Sequence, residues 1–171
     1  SCPLPEPATY PFNGGRRTIF KRDAMVLRIV TNDNLVGYAP GSASEKVVEM
    51  INDKISPLIL GQDLFDPENF VEEMIDIHGD DVWSAAGAVE IALYDLWGKV
   101  NRCSVTEFFG GRKQESIACI GSAGMYLSAE DHAAEASAVC ELGFEAYKFK
   151  TALGPADDLK TVELIKQAVG P

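Results

Sequence analysis

An α+β domain followed by a stretch of alternating strand and helix is the fold class this sequence predicts, and three observations predict it. A β-branched hairpin pattern opens the first part, three helical patterns follow it, and from residue 116 strand-like and helix-like segments alternate. Strand, helix, strand, helix is the order of a parallel sheet with helices on its outside, and it is how a (β/α)₈ barrel begins. At 171 residues the chain can hold one ordinary domain and part of another.

Taken in order, the segment "TYPFNGGRRTIFKR" has a Gly-Gly pair and two arginines between aromatics and reads as a mobile loop. "AMVLRIVT", the turn-forming "NDN" and "LVGYA" read as a β-hairpin. Ser42 stands three residues before Glu45, the capping-box spacing, and Val47, Val48, Ile51 and Ile55 recur on one helix face until Pro57 closes the run. Asp66 as N-cap and Pro67 in the first turn open a second helix with Phe70, Val71, Met74 and Ile77 as its buried stripe. "VWSAAGAVEIALYDLWGKV" makes the third, whose alanines allow close packing. The alternating part comprises strand "SIACIGSA", a helix capped by Ser128 and closed by Gly143, strand "EAYKFK", and a helix opened by Asp157 or Asp158. A right-handed crossover puts both of these helices on one face of the sheet.

Composition removes several function classes. Fifteen Lys+Arg against 26 Asp+Glu give a net charge of -11, which repels phosphate backbones and anionic lipid, so neither nucleic acid nor membrane is an expected partner. There is no run of about 18 apolar residues and no charged-then-apolar leader pattern, which predicts a cytoplasmic protein. Cys2, Cys103, Cys119 and Cys140 are scattered, and His78 and His132 are the only histidines, so a structural zinc site is not expected. Neither histidine has a nucleophile motif around it. The opening "SCPLPEP" and closing "KQAVGP" read as cut edges, and the expectation is a chain truncated at both ends.

In "GFEAYKFK" lysine recurs at alternate positions. Residues two apart in a strand share a face, so Lys148 and Lys150 share one and Tyr147 and Phe149 the other. With helices covering the aromatic face, the lysines turn to the opposite one. In a closed barrel that is the interior, and the carboxyl end of a strand opens at the mouth where barrel active sites lie. Two ammonium groups held there are costly unless an anion joins them.

The segment "AAGAVEIALYDLWGKVNRCSVTEFFGG", with signature positions Ala88, Glu90, Ala92, Asp95, Gly98, Lys99, Phe109 and Gly110, followed by "GFEAYKFK", resembles the enolase superfamily in its mandelate racemase and muconate-lactonising branch. Phe108 stands where a smaller aliphatic is usual. The resemblance implies an α+β capping domain over residues 1–112 and the first two β/α units of a TIM-type barrel over residues 113–171. It implies removal of a proton α to a carboxylate, an enediolate, and a Mg²⁺ ion whose ligands lie C-terminal to this chain.

By position, Lys150 is then the general base and Lys148 its neighbour, a like charge that disfavours the protonated ammonium and touches the carboxylate. Tyr10, Arg16 and Arg17, in an early loop that closes on substrate, and Tyr126, after the first barrel strand, are the candidate substrate contacts. Glu90 and Asp95 lie in the signature helix and read as structural or solvent-facing, so no metal ligand is assigned within the chain. The polar loop and paired lysines favour a polar acid. The resulting expectation is an acid-sugar dehydratase, homo-oligomeric in its full-length form, with a racemase, epimerase or cycloisomerase as the alternative. A non-catalytic fragment or binding module is the alternative of another class.

Overall fold

The computed structural model describes residues 1–12, 15–63, 67–125, 127–151 and 153–170. Contacts divide the chain into two compact units, Ser1–Cys2 with Asp23–Lys113 and Pro3–Arg22 with Gln114–Pro171.

In the Asp23–Lys113 unit the expected hairpin forms. β3 (Met25–Val30) pairs antiparallel with β4 (Val36–Gly41), from Met25 opposite Gly41 to Val30 opposite Val36. Thr31 closes the turn: its amide donates to the Leu35 carbonyl at 2.9 Å and its hydroxyl oxygen accepts from the Leu35 amide at 3.0 Å. Alternation along β3 turns Met25, Leu27 and Ile29 toward the core and leaves Val26, Arg28 and Val30 exposed.

The helices differ from expectation at their ends. α1 (Glu45–Met50) is preceded by Ser44, not Ser42, and the Ser44 side chain makes no capping bond; its carbonyl receives the Val47 and Val48 amides instead. Pro57 does not end the run. A π turn over Ile51–Ile55 leads into α2 (Ser56–Ile59), and the Ser56 amide reaches the Ile51 carbonyl. The widened turn shifts the register by one residue, so Pro57 falls in the first turn of α2, where its missing N–H has no helical partner to lose. Val47, Ile51 and Ile55 are buried as expected, and Val48 is exposed. α3 (Phe70–His78) starts after Asn69, later than expected; Asp66, the expected cap, lies outside the described residues. Its inner face is Phe70 and Met74, flanked by Val71 and Ile75, whereas Ile77 in the last turn is 58 % exposed.

A 3₁₀ turn over Asp80–Val82 leads into α4 (Trp83–Asn101), the long alanine-rich helix. Ala85, Ala86, Val89 and Leu93 pack into one core with Val47, Ile51, Ile55, Phe70, Met74 and Val82. Arg102 turns left-handed after α4, and the Cys103 amide bonds back to Gly98. α5 (Val105–Phe108) carries the capping box that the sequence reading put at Ser42: Ser104 accepts from the Glu107 amide and the Glu107 carboxylate accepts from the Ser104 amide.

In the other unit, β1 (Cys2–Phe12) and β2 (Gly15–Arg22) form a two-stranded sheet, joined across by Thr9 and Thr18 hydroxyls 2.8 Å apart. This corrects the loop expected around Tyr10–Arg17. The Thr, Tyr, Phe and Ile residues that flank the Gly-Gly pair favour extended backbone, and two exposed arginines do not oppose it. The C-terminal stretch alternates as expected: β5 (Gly121–Met125), α6 (Ala129–Glu141), β6 (Tyr147–Lys150) and α7 (Pro155–Val169). β5 and β6 are parallel, and α6 packs on both strands and on α7. β5 begins five residues later than expected, with Ile117 80 % exposed before it. Ser128 caps α6 through the Asp131 amide at 3.1 Å, and the Gly143 amide closes it on the Cys140 carbonyl. α7 opens at Pro155 after Gly154; Asp157 and Asp158 stand inside its first turn, where carboxylates suit the exposed amides.

Candidate active site on β6

β6 separates its residues by alternation. Tyr147 and Phe149 are half-buried toward α6: the Tyr147 hydroxyl donates to Glu135 Oε2 at 2.6 Å, and the ring of Phe149 lies 5.0 Å from that of His132. Lys148 and Lys150 are exposed and belong to the opposite face. Ser122 pairs with Lys148 and Met125 with Lys150, so Lys150 stands at the carboxyl end of a parallel pair and Lys148 two residues before it. A side-chain amine on such a face can accept a proton, and a second one beside it can attract an anion.

The remaining expected site residues are spread along the chain. Tyr10 is half-buried in β1, and Arg16 and Arg17 are exposed in β2; all three belong to the unit that contains β6. Because adjacent residues of a strand face opposite ways, Arg16 and Arg17 cannot both be aimed at one ligand from the same face of β2. Tyr126 lies outside the described residues.

Of the two acidic residues of α4, Asp95 has a structural role. Asp95 accepts from the Tyr38 amide at 2.8 Å and from Lys99 Nζ at 2.6 Å. Lys99 in turn donates to the Val36 carbonyl at 2.7 Å and lies over the Tyr38 ring, so this pair stitches β4 to α4. Glu90 is half-buried, and burial pushes its carboxyl above the ordinary range. Among the described residues no three of His, Cys, Asp and Glu come together to hold a metal ion. His132 is 1 % exposed and bonded to Tyr147, a structural position, and His78 Nε2 is buried with no hydrogen-bond partner among the described residues. No disulfide joins any two of the four cysteines. No described helix is long and apolar enough to cross a membrane.

Two features escaped sequence reasoning. A cleft of about 380 Å³ in the Asp23–Lys113 unit is lined by residues that include Ile29, Thr31, Leu60, Gln62, Leu93 and Trp97. Glu135 and His132 meet Tyr147; their three-residue spacing on a helix was visible, but nothing local pairs that helix face with one strand residue.

Residues 3–110 match the family model of the mandelate racemase / muconate lactonizing enzyme N-terminal domain. The chain is similar to an N-succinyl-L-Arg/Lys racemase of Bacillus cereus, at 25 % identity over 86 % of this chain and 42 % of that protein. It is also similar to an L-Ala-D/L-Glu epimerase of Clostridium acetobutylicum, at 28 % identity over 98 % of this chain and 48 % of the relative. Among solved structures, the 3,6-anhydro-D-galactonate cycloisomerase from Zobellia galactanivorans superposes with a TM-score of 0.74 at 26 % identity, covering 97 % of this chain and 47 % of that one. The chain thus spans about half the length of the relatives it matches.

Proposed function

The chain belongs to the mandelate racemase / muconate lactonizing enzyme family through its N-terminal domain, and on that premise we propose that it forms the capping domain and first two β/α units of an enzyme that removes a proton α to a carboxylate. The observation that carries the reading is that Lys148 and Lys150 share the face of β6 away from α6, with Lys150 at the carboxyl end of a parallel strand pair. In its unprotonated form, Lys150 takes the proton from carbon. The Lys148 ammonium attracts the substrate carboxylate and the negative charge that grows on it as the proton leaves. Tyr10 and one of Arg16 and Arg17 bind substrate from the β1–β2 hairpin, and Tyr126 completes that set.

The relatives named above are a racemase, an epimerase and a cycloisomerase, which favours isomerisation over the dehydration expected from sequence. Their names span N-acylated amino acids, dipeptides and an acid sugar, so a small carboxylic acid is the substrate class. Magnesium, implied by the resemblance, finds no ligand set among the described residues; the lysine face is the part of the chemistry that this chain supplies. A cytoplasmic homo-oligomer completes the reading.

The test is exchange of the α-proton with deuterated solvent in the full-length protein, using N-succinyl-L-arginine, L-Ala-L-Glu and 3,6-anhydro-D-galactonate as probes. At least one is expected to exchange, and Lys150→Ala is expected to lower kcat for that exchange by about 10²–10⁴-fold with little change in KM. Exchange at the parent rate in Lys150→Ala would return both lysines to the role of solvated strand residues.

A further inference from the structure

The backbone pairing of β6 is interrupted between its two lysines. Gly121 pairs with Tyr147 and Ser122 with Lys148, but the next pair is Met125 with Lys150, so Ala123 and Gly124 stand opposite the single residue Phe149. Two residues against one is a bulge, which bends a strand and re-aims its side chains. Where the ladder slips, it no longer defines how β6 is rolled about its own axis, and that roll decides where Lys148 and Lys150 point.

The other face of the strand supplies the missing restraint. The Tyr147 hydroxyl has one proton and gives it to Glu135 Oε2 at 2.6 Å, so at His132 Nδ1, 3.1 Å away, it accepts, and His132 carries its proton on Nδ1. Burial, and then the Glu135 carboxylate, push the Tyr147 phenol far above the ordinary tyrosine value, which keeps it a donor. The Tyr147 and Phe149 rings are nearly parallel at 5.7 Å, and His132 lies against Phe149.

Gly124 of the bulge, at φ +64°, rests on this cluster. A Cβ there would fall 2.5 Å from the Tyr147 hydroxyl oxygen, 2.6 Å from Phe149 Cβ and 2.8 Å from His132 Cε1. The bulge and the polar cluster therefore interlock, and only a bare backbone fits between them.

We propose that Glu135, His132 and Tyr147 form a clamp that sets the roll of β6 and so the aim of Lys148 and Lys150. These are positioning residues, acting through the strand from the face the lysines do not use. Their role rests on the reading of Lys150 as the base. A base displaced by a fraction of an ångström loses rate without losing binding, which is the signature to look for.

Tyr147→Phe and Glu135→Gln each weaken the clamp's hydrogen bonding and keep its shape. In the 171-residue chain, the amides of Lys148 to Lys150 are expected to exchange with solvent at least about tenfold faster in both variants, with those of Trp83–Asn101 unchanged. Unaltered protection of β6 in both overturns the clamp. In the full-length protein, with whichever of the three probes loses exchange in Lys150→Ala, kcat per folded molecule is expected to fall about tenfold while KM stays within twofold. A merely structural role would lower the folded fraction, read by near-UV circular dichroism, and leave kcat per folded molecule at the parent value; that result overturns the positioning role. If Lys150→Ala itself exchanges like the parent, the base assignment falls first and the clamp's purpose with it.

Discussion

Asp95 illustrates how a residue that marks a family can be explained by its bonds. Burial alone would raise its pKa, but the Lys99 ammonium and the Tyr38 amide outweigh it and hold the carboxyl below the ordinary aspartate range. A folded-state pKa below the unfolded one adds stability that is present above about pH 4 and is lost as pH falls through the folded value. Asp95→Asn is therefore expected to flatten the fall of unfolding free energy between about pH 5 and 3, measured by urea titration at several pH values. Asp95→Ala, which also orphans the Tyr38 amide, is expected to cost about 1–3 kcal/mol at neutral pH. Asp95 was half legible in the sequence: Lys99 stands four residues on along the same helix, whereas the Tyr38 amide and the Val36 carbonyl reach this pair only because β4 packs on α4.

At the scale of elements, the seam between β4 and α4 is set by the absence of a side chain. A Cβ on Gly37 would lie 2.3 Å from the Ala92 carbonyl oxygen and 2.6 Å from Leu96 Cγ. Gly37→Ala must push the strand off the helix, and a cost of about 1–3 kcal/mol, read as a lower urea midpoint, is expected. The small alanines of α4 hinted at close packing, but not that a glycine of the hairpin receives it. α5 makes the opposite point. Its capping box has a purely local signature, Ser104 followed by Glu107, whereas the same spacing at Ser42 and Glu45 forms no box because α1 starts after Ser44. Ser104→Ala is expected to destabilise the Asp23–Lys113 unit by about 1 kcal/mol, with Ser104→Asp restoring most of it.

For the whole molecule, the two units differ in what protects them. The Asp23–Lys113 unit has a contiguous core around α4, whereas β5 and β6 pair, among the described residues, only with each other. Amides of Trp83–Asn101 are expected to exchange at least about tenfold more slowly than those of Gly121–Met125 and Tyr147–Lys150 in hydrogen-exchange measurements. Equal protection in a proven monomer would mean that the short sheet is stabilised by more than its own two strands. The sequence by itself determined the order of the β3–β4 hairpin, the main helices and the strand–helix alternation after them, the apolar faces of α1, α3 and α4, and the division of β6 into an aromatic face and a lysine face, because the periods of 3.6 and 2 are properties of the local backbone. Tertiary structure decided where β5 begins, that Tyr10–Arg17 lies in paired strands, that Pro57 is carried through a π turn, and that His132 and Glu135 close on Tyr147. Each of those outcomes depends on which distant segment supplies a hydrogen-bond partner or a packing surface, and local periodicity carries no record of that choice.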